Sequence, residues 1–300
     1  MTDMYCFLLA LSIVFPKDGQ VLPPLSKCYI IGSADAGVTN VTVQGRDVPV
    51  YRTGAWASTI DLAEGSNTVS VGDGELHLFV RSAPEKRAAD GAVKPKAFEK
   101  LAYAADAAKA HPREKEPSEI SIVIDPGHGG ADSGALSPRR LKEKDANLAV
   151  ARKTAEALLD RGYRVFMTRG DDRAIPLYDR PKMAHANNAD AFISIHHNAP
   201  PYDRDPIKAR YAVIYAWNGI GENLGRAINR RMIAAMGDKM PNNGVQRANY
   251  AVTRNPEIPS CLIEVDFITS PEGEEASWDP VRQSRVAEAI AEGVSDWVRQ

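Results

Sequence analysis

From residue 119 onward, short apolar runs of strand length alternate with segments that repeat apolar residues at helical spacing. Residues 121–125 form the first run, and residues 145–161 form the first helical segment, which Gly162 ends. Strands that alternate with helices need crossover connections, and such connections produce a largely parallel sheet with helices on both faces. Residues 119–300 are therefore predicted to form an α/β domain with a mostly parallel sheet.

The same patterns place the other elements of this domain. Further helices are predicted over residues 178–188, around Leu224 and Ile228 as far as Gly237, and around Val286 and Trp297. Further strands are predicted over residues 163–168, 191–196, 211–215 and 261–267.

Residues 11–84 alternate apolar and polar side chains at a period of two and contain no long helical pattern. Strands are predicted over residues 38–43, 48–51, 55–62, 67–71 and 75–80, and Asp73-Gly74 is typical of a tight hairpin turn. We therefore expect a small antiparallel, β-sandwich-like accessory domain over residues 11–84. Residues 85–118 are rich in Lys, Glu and Ala and poor in large apolar side chains, which predicts a charged linker with a polar helix over 98–110.

The first ten residues admit two interpretations. Residues 6–14 have the length of the apolar segment of a signal peptide, but Asp3 precedes them, Lys and Arg are absent there, and no A-x-A cleavage site follows. Alternatively, residues 11–15 are the first strand of the accessory domain and residues 1–10 are a separate N-terminal segment. The longest apolar run, residues 5–15, is too short to span a bilayer, which argues against an integral membrane protein.

Charge and cysteine content exclude two further classes of protein. A formal charge of −2 and a pI near 6.3 give no electrostatic case for a nucleic-acid partner. The three cysteines, Cys6, Cys28 and Cys261, are far apart and too few for a disulfide scaffold, and they do not indicate a redox compartment.

Three chemistry-bearing residues lie on or directly after the predicted strands. His128 follows the first strand in a Gly-rich loop, His196 ends the third, and Glu264 lies inside the fifth, where a charge is costly unless it is paired or binds a metal. Two histidines and a carboxylate are the ligands of many catalytic zinc sites. Two alternatives stay open: structural hydrogen-bonding roles, and a phosphate-binding loop at residues 127–130, which lacks the GK[ST] ending and the full GxGxxG spacing.

Four ordered segments resemble the motifs of a known family, the zinc-dependent N-acetylmuramoyl-L-alanine amidases of the amidase-3 type. Residues 122–135, IVIDPGHGGADSGA, are similar to the opening motif, and residues 142–148, KEKDANL, to the second. Residues 192–196, FISIH, resemble the third motif, and residues 259–268, PSCLIEVDFI, the fourth. The resemblance covers residues 119–300 and leaves the accessory domain outside.

The resemblance implies a zinc amidase domain that cleaves the amide between N-acetylmuramic acid and L-alanine in peptidoglycan. Carried over by position, His128, Glu143 and His196 would hold Zn²⁺, and Glu264 would be the catalytic acid and base. Asp145 is the neighbouring acid that competes with Glu143 for the ligand position. The substrate, peptidoglycan or a muropeptide, implies a cell-envelope location, periplasmic or secreted. The accessory domain lies outside the resemblance, and three roles stay open for it: contact with the wall glycan, contact with another protein, or a spacer.

Two other functions compete with this interpretation. A zinc peptidase of the carboxypeptidase type would use the same kind of site on peptide stems. A non-catalytic cell-wall-binding protein would keep the fold without the reaction, although the intact set of His128, Glu143, His196 and Glu264 argues against it.

Several polar residues near these motifs carry secondary expectations. Asp125 is expected either to orient the histidine of the Gly-rich loop or to cap the turn. Arg169, Arg180 and Asn198 are candidates for binding muropeptide carboxylates or amides, with structural roles as the alternative. Consecutive strand residues face opposite sides, so only one of His196 and His197 can point at the metal, and the motif selects His196. His197 should then either border the substrate groove or be solvated. The short stretch between residues 198 and 211 leaves little room for an inserted helix that would block the site.

Overall fold

The computed structural model describes residues 11–83, 115–237 and 240–300. The two interpretations of residues 1–10 and the polar helix predicted over residues 98–110 lie outside the described residues. In the ranges that are described, no helix is both long enough and apolar enough to cross a membrane.

The N-terminal part forms two sheets that pack face to face. One has the strand order β1-β3-β6 and the other β2-β8-β7-β4-β5, and all pairs are antiparallel except β2 with β8. The strands are β1 (Leu11–Phe15), β2 (Gln20–Leu22), β3 (Lys27–Ala34), β4 (Asn40–Val43), β5 (Arg46–Pro49), β6 (Ala55–Asp61), β7 (Gly65–Val71) and β8 (Gly74–Val80). The predicted sandwich-like fold is confirmed, while its boundaries stay a prediction.

One core fills the space between these sheets. Ile30 and Trp56 from the first sheet are buried against Val43 and Val69 from the second. Along β8, buried and exposed residues alternate, as the period of two predicted. The hairpin turn, however, is formed by Gly72 and Asp73 rather than by Asp73 and Gly74, because Gly72 has the positive φ of 57° that a tight turn of this kind requires.

The C-terminal part is a six-stranded mixed sheet with the order β10-β9-β11-β14-β12-β13. Only the β12–β14 pairing is antiparallel, which confirms the mostly parallel sheet. Its strands are β9 (Ser121–Pro126), β10 (Arg164–Met167), β11 (Ala191–Asn198), β12 (Ala212–Ala216), β13 (Asn242–Arg247) and β14 (Ser260–Phe267).

Helices cover both faces of this sheet, as the sequence predicted. A large core lies under three of them and contains Leu158, Ile228 and Ile290, while a smaller core on the opposite face contains Ala184 and Phe192. The helices are α1 (Glu143–Leu159), α2 (Arg180–Ala186), α3 (Gly219–Met236), α4 (Pro271–Trp278) and α5 (Pro280–Val298).

Candidate metal centre

His128, Glu143 and His196 meet at one edge of the mixed sheet, although they are distant in sequence. One ligand atom from each residue lies within 4.8 Å of the others. Glu143 Oε1 is 3.1 Å from His128 Nε2 and 3.0 Å from His196 Nδ1. This trio has the residue types and the spacing that could hold a metal ion.

Two glycines let these side chains approach one another. A Cβ atom on Gly127 would lie 2.2 Å from the His196 ring. A Cβ atom on Gly134 would lie 2.5 Å from Glu143 Oε2 and 2.6 Å from the His128 ring, and the φ of 63° at Gly134 is also unfavourable for other residues. The glycines that surround His128 in the sequence therefore clear the space that the cluster occupies.

Hydrogen bonds to Glu143 determine the charges of the cluster. Burial alone would raise the pKa of Glu143, but hydrogen bonds from His128 and His196 outweigh burial and hold that pKa well below its usual range. Burial alone would lower the pKa of His128, because it disfavours the charged imidazole. The hydrogen bonds and negative charges of Glu143 and Asp132 outweigh burial and raise this pKa to about 9. The Glu143 carboxylate is therefore ionised, and the two histidines compensate its charge. A cation bound by the three side chains could compensate that charge instead.

Glu264 lies beside the cluster because of strand register. It is paired with His196 across the parallel strands β11 and β14. Its Oε2 atom is buried and has no hydrogen-bond partner among the described residues. Burial raises the pKa of Glu264 to about 7, which is where a group that accepts and returns a proton near neutral pH is expected.

This raised pKa predicts a pH-dependent stability in the metal-free protein. Between the ordinary value of 4.5 and about 7, the unfolded chain ionises Glu264 while the folded chain keeps it protonated. The free energy of unfolding therefore falls as pH rises, by about 3 kcal/mol in total for this group. Relative to wild type, Glu264→Gln should gain this amount between pH 4 and pH 8, as measured by urea denaturation with chelator present. A pH-independent difference between the two proteins would contradict the assignment.

Asp125 does not orient His128 directly, so that expectation is wrong. Its carboxylate accepts hydrogen bonds from Thr168, Ser194 and Arg180, and it is fully buried. The residue that contacts the other ring nitrogen, the one that does not face Glu143, is Asp132, whose Oδ2 lies 2.8 Å from His128 Nδ1. Asp132 follows His128 by four residues in the same loop, which brings it within reach of the ring.

The two arginines hold the backbone around His128. Arg180 donates to the carbonyl oxygens of Pro126 and His128 at 2.9 and 2.7 Å, in addition to its bond to Asp125. Arg169 is 2 % exposed and donates to the carbonyl oxygens of Pro126, Gly127 and Lys144. These bonds support the structural alternative for both arginines. Arg180 also lines the cleft over the cluster, so its part in substrate binding stays a prediction.

His197 is buried, so the alternative that it is solvated is wrong. Its Nδ1 lies 2.8 Å from Asn147 Oδ1, and the Asn147 amide nitrogen donates to Glu143 Oε1 at 3.1 Å. Burial lowers the pKa of His197 to about 4, so the ring is neutral at pH 7. Because the Asn147 nitrogen faces a carboxylate, its oxygen must accept from His197, which places the ring proton on Nδ1. Sequence reasoning did not find this connection through Asn147.

An open cleft of about 490 Å³ lies over the cluster. Its lining includes polar residues, among them Asn198, and apolar side chains, of which Leu177 and Tyr250 are both roughly half exposed. Among the described residues that line it, none comes from residues 200–222. Substrate binding by Asn198 stays a prediction.

A mostly parallel α/β sheet that gathers two imidazoles and a carboxylate at one edge defines a domain that can hold a metal ion. The sequence model of the amidase-3 family, described as N-acetylmuramoyl-L-alanine amidase, matches residues 122–296, which is more than half of the chain. The chain belongs to this family.

Individual relatives agree with this assignment. The chain is 32% identical over 221 residues to N-acetylmuramoyl-L-alanine amidase AmiC of Neisseria meningitidis, a match that covers 59% of this chain and 52% of the relative. It is 31% identical over 218 residues to AmiA of Escherichia coli, which covers 58% of this chain and 74% of that protein. The chain thus spans only about half the length of the Neisseria relative.

The fold is also found in solved structures of such proteins. The N-acetylmuramoyl-L-alanine amidase AmiC2 of Nostoc punctiforme matches with a TM-score of 0.57 and 32% identity, covering 61% of this chain and 98% of its own. The catalytic domain of CwlV, an N-acetylmuramoyl-L-alanine amidase from Paenibacillus polymyxa, matches with a TM-score of 0.55 and 29% identity, covering 59% of this chain and 97% of its own. Both matches cover about three fifths of the chain.

Proposed function

We propose that the protein is a zinc-dependent hydrolase that cleaves the amide bond between N-acetylmuramic acid and L-alanine in peptidoglycan. The observation that carries the proposal is the convergence of His128, Glu143 and His196 within 4.8 Å, beside a buried Glu264 whose Oε2 has no partner among the described residues. Membership of the amidase-3 family supports the choice of substrate.

The residues present fit a zinc ion. Two imidazoles and one carboxylate form a ligand set that recurs in catalytic zinc sites, which leave a further position open. Glu143 is already ionised in the metal-free site, and Asp132 holds the far nitrogen of the His128 ring. Zinc held by His128, Glu143 and His196 would supply a Lewis acid that polarises the scissile carbonyl and makes a water nucleophilic near neutral pH.

Glu264 moves the proton in this proposal. Its carboxylate, beside His196, takes the proton of the attacking water as that water adds to the carbonyl carbon. The protonated Glu264 then gives this proton to the nitrogen of the departing L-alanine, so that the amide bond breaks and a free amine leaves. Burial raises the pKa of Glu264 above its usual value, which makes the carboxylate a better proton acceptor for the first of these transfers.

The cleft allows a polymeric substrate to reach these groups. It is open to solvent, and its lining includes the partly exposed side chains of Leu177 and Tyr250 as well as the polar residues of the cluster. Because peptidoglycan lies in the cell envelope, we propose an envelope location, periplasmic or secreted.

Metal analysis combined with digestion of purified sacculi tests the proposal. The protein should hold about one zinc per chain, and digestion should release stem peptides with a new N-terminal alanine and leave free lactyl carboxylates on the glycan. Removal of the metal by a chelator should abolish release, and added zinc should restore it, because Lewis-acid activation of the carbonyl and water supplies several kcal/mol of stabilisation.

The products separate the competing functions. Cleavage only between amino acids of the stem would instead favour a zinc peptidase of the carboxypeptidase type. Binding to sacculi with no released product would favour a non-catalytic wall-binding protein. Undiminished digestion after the metal has been removed would contradict the proposed mechanism.

A further inference from the structure

The loop over residues 134–142, here called the Glu143 loop, leads directly into the first residue of α1. Ala135 N–H donates to Glu143 Oε2 at 2.9 Å, and Glu143 N–H donates back to the Ala135 carbonyl oxygen at 3.0 Å. Leu136 and Lys142 form a bridge across the loop, and Ser137 accepts from Leu141 at its side chain. The loop therefore holds the Oε2 side of the Glu143 carboxylate, while Asn147 and the His197 N–H hold the Oε1 side.

The outer side of the Glu143 loop contacts the N-terminal sandwich. Leu136 packs against the apolar cluster of Val14, Tyr29, Ile31 and Ala57, which lies on the face of the three-stranded sheet turned away from the sandwich core. This explains why β3 is buried on both of its faces.

Arg140 makes the polar contacts of the same interface. Its Nη2 donates to the Ile13 carbonyl oxygen at 3.0 Å and lies 3.3 Å from Ser12 Oγ, both on β1. Arg140 has a φ of 64°, a left-handed conformation that residues other than Gly, Asn and Asp rarely adopt and that must be held by surrounding contacts. The bonds to β1 are contacts of that kind.

A second contact reaches the segment that follows His196. Tyr29 N–H donates to the Tyr202 carbonyl oxygen at 2.7 Å, and the Tyr202 ring lies 5.1 Å from the ring of Phe15. Tyr202 comes six residues after His196 in the sequence. The sandwich thus contacts the chain next to two of the three residues in the candidate metal cluster.

We propose that the N-terminal sandwich is a positioning element for the metal site: it holds the Glu143 loop, through Leu136 and Arg140, in the conformation that presents Glu143 to the metal. The inference rests on the proposed metal-binding function. It assigns the sandwich a role in metal affinity that is separate from any contact with the cell wall.

Opposite charges placed at Ser12 test this role without changing the catalytic part. Ser12→Arg puts a cation against Arg140 and should separate β1 from the loop, whereas Ser12→Glu also lengthens the side chain but attracts Arg140. We expect Ser12→Arg to weaken zinc binding about tenfold, the lower end of the effect of residues that support metal ligands, and Ser12→Glu to stay near wild type. Zinc affinity is measured on the full chain by competition with a chromophoric chelator.

Two further variants keep the test decisive. Ser66→Arg makes the same change at an exposed position of β7 on the other sheet and should leave zinc affinity unchanged. Arg140→Ala removes the contacts without adding bulk and should weaken binding as Ser12→Arg does, so it replaces that variant if thermal unfolding shows misfolding.

The outcomes separate this inference from the proposed function. Wild-type zinc affinity in both Ser12→Arg and Arg140→Ala would overturn the positioning role and leave the proposed function standing. Equal losses in Ser12→Arg and Ser12→Glu would also overturn it, since bulk and not the contact with Arg140 would then be the cause. A wild-type chain that binds no zinc would overturn both.

Discussion

Replacing Glu264 by glutamine is expected to lower the rate of amide hydrolysis by about a thousandfold while leaving the metal bound. Glutamine has nearly the same shape as glutamate but cannot take a proton from water and return it to the leaving amine. Glu264 lies outside the trio that could hold a metal, so the ligands stay intact. Release of stem peptides from sacculi and zinc content per chain are the two measurements.

Glu288→Gln is a matched control for this variant. Glu288 pairs with Arg161, which follows the end of α1 opposite to Glu143, and its loss should leave hydrolysis unchanged. Wild-type activity in Glu264→Gln would exclude Glu264 as the acid and base. Loss of zinc together with activity would assign Glu264 to metal binding instead.

Replacing Arg180 by methionine is expected to lower the free energy of unfolding by about 3–5 kcal/mol. The change leaves the Asp125 carboxylate, which is 0 % exposed, without its cationic partner. It also removes the donors to the carbonyl oxygens of Pro126 and His128, so only Arg169 of the two arginines still holds this backbone. Urea denaturation measures the stability, and chelator competition should show weaker zinc binding in the same variant.

Lys182→Met provides the comparison within the same helix. Lys182 is largely exposed and pairs with Asp179 at the surface, where such pairs contribute about 0–1 kcal/mol. Equal, small losses of stability in the two variants would show that the contact between Asp125 and Arg180 is not the anchor that its geometry indicates.

The sequence predicted those strands and helices whose pattern of apolar and polar residues matches their burial in the fold. The strands that lead to His128 and His196 are continuous apolar runs because both faces of the mixed sheet are covered. β3 was missed because Tyr29 and Ile31 face the Glu143 loop side while Cys28 and Ile30 face the sandwich core, so no alternation is visible. That pattern depends on contacts with residues more than a hundred positions away.

Two elements of the α/β part were missed for local reasons. β13 (Asn242–Arg247) is polar and lies at the edge of the sheet, where it needs no apolar face. α4 begins after Ser270, whose side chain accepts from Gly273 N–H, with Pro271 in its first turn, so its start signal was present in the sequence. Its weak apolar stripe hid the rest of the helix.

Some residues of the candidate site could also be predicted from the sequence, and others could not. His128, His196 and Glu264 were found from their places on strands, since strand ends meet at one edge of a parallel sheet. Glu143 was indicated by family resemblance alone, because periodicity gives only an acid at the start of a helix. The link from His197 through Asn147 to Glu143 was not predicted, since it depends on how β11 faces α1 in three dimensions.

The position of β13 at the edge of the sheet also bears on whether copies of the protein associate. An outermost strand leaves backbone N–H and C=O groups free to pair with a neighbouring chain, which can lead to polymerisation. Here that strand reads Asn-Asn-Gly-Val-Gln-Arg, with a glycine in the left-handed region at Gly244 and a cation at Arg247. This strand presents no flat apolar surface to the strand of a neighbouring molecule. Its sequence therefore disfavours edge-to-edge pairing and fibril formation at this edge of the sheet.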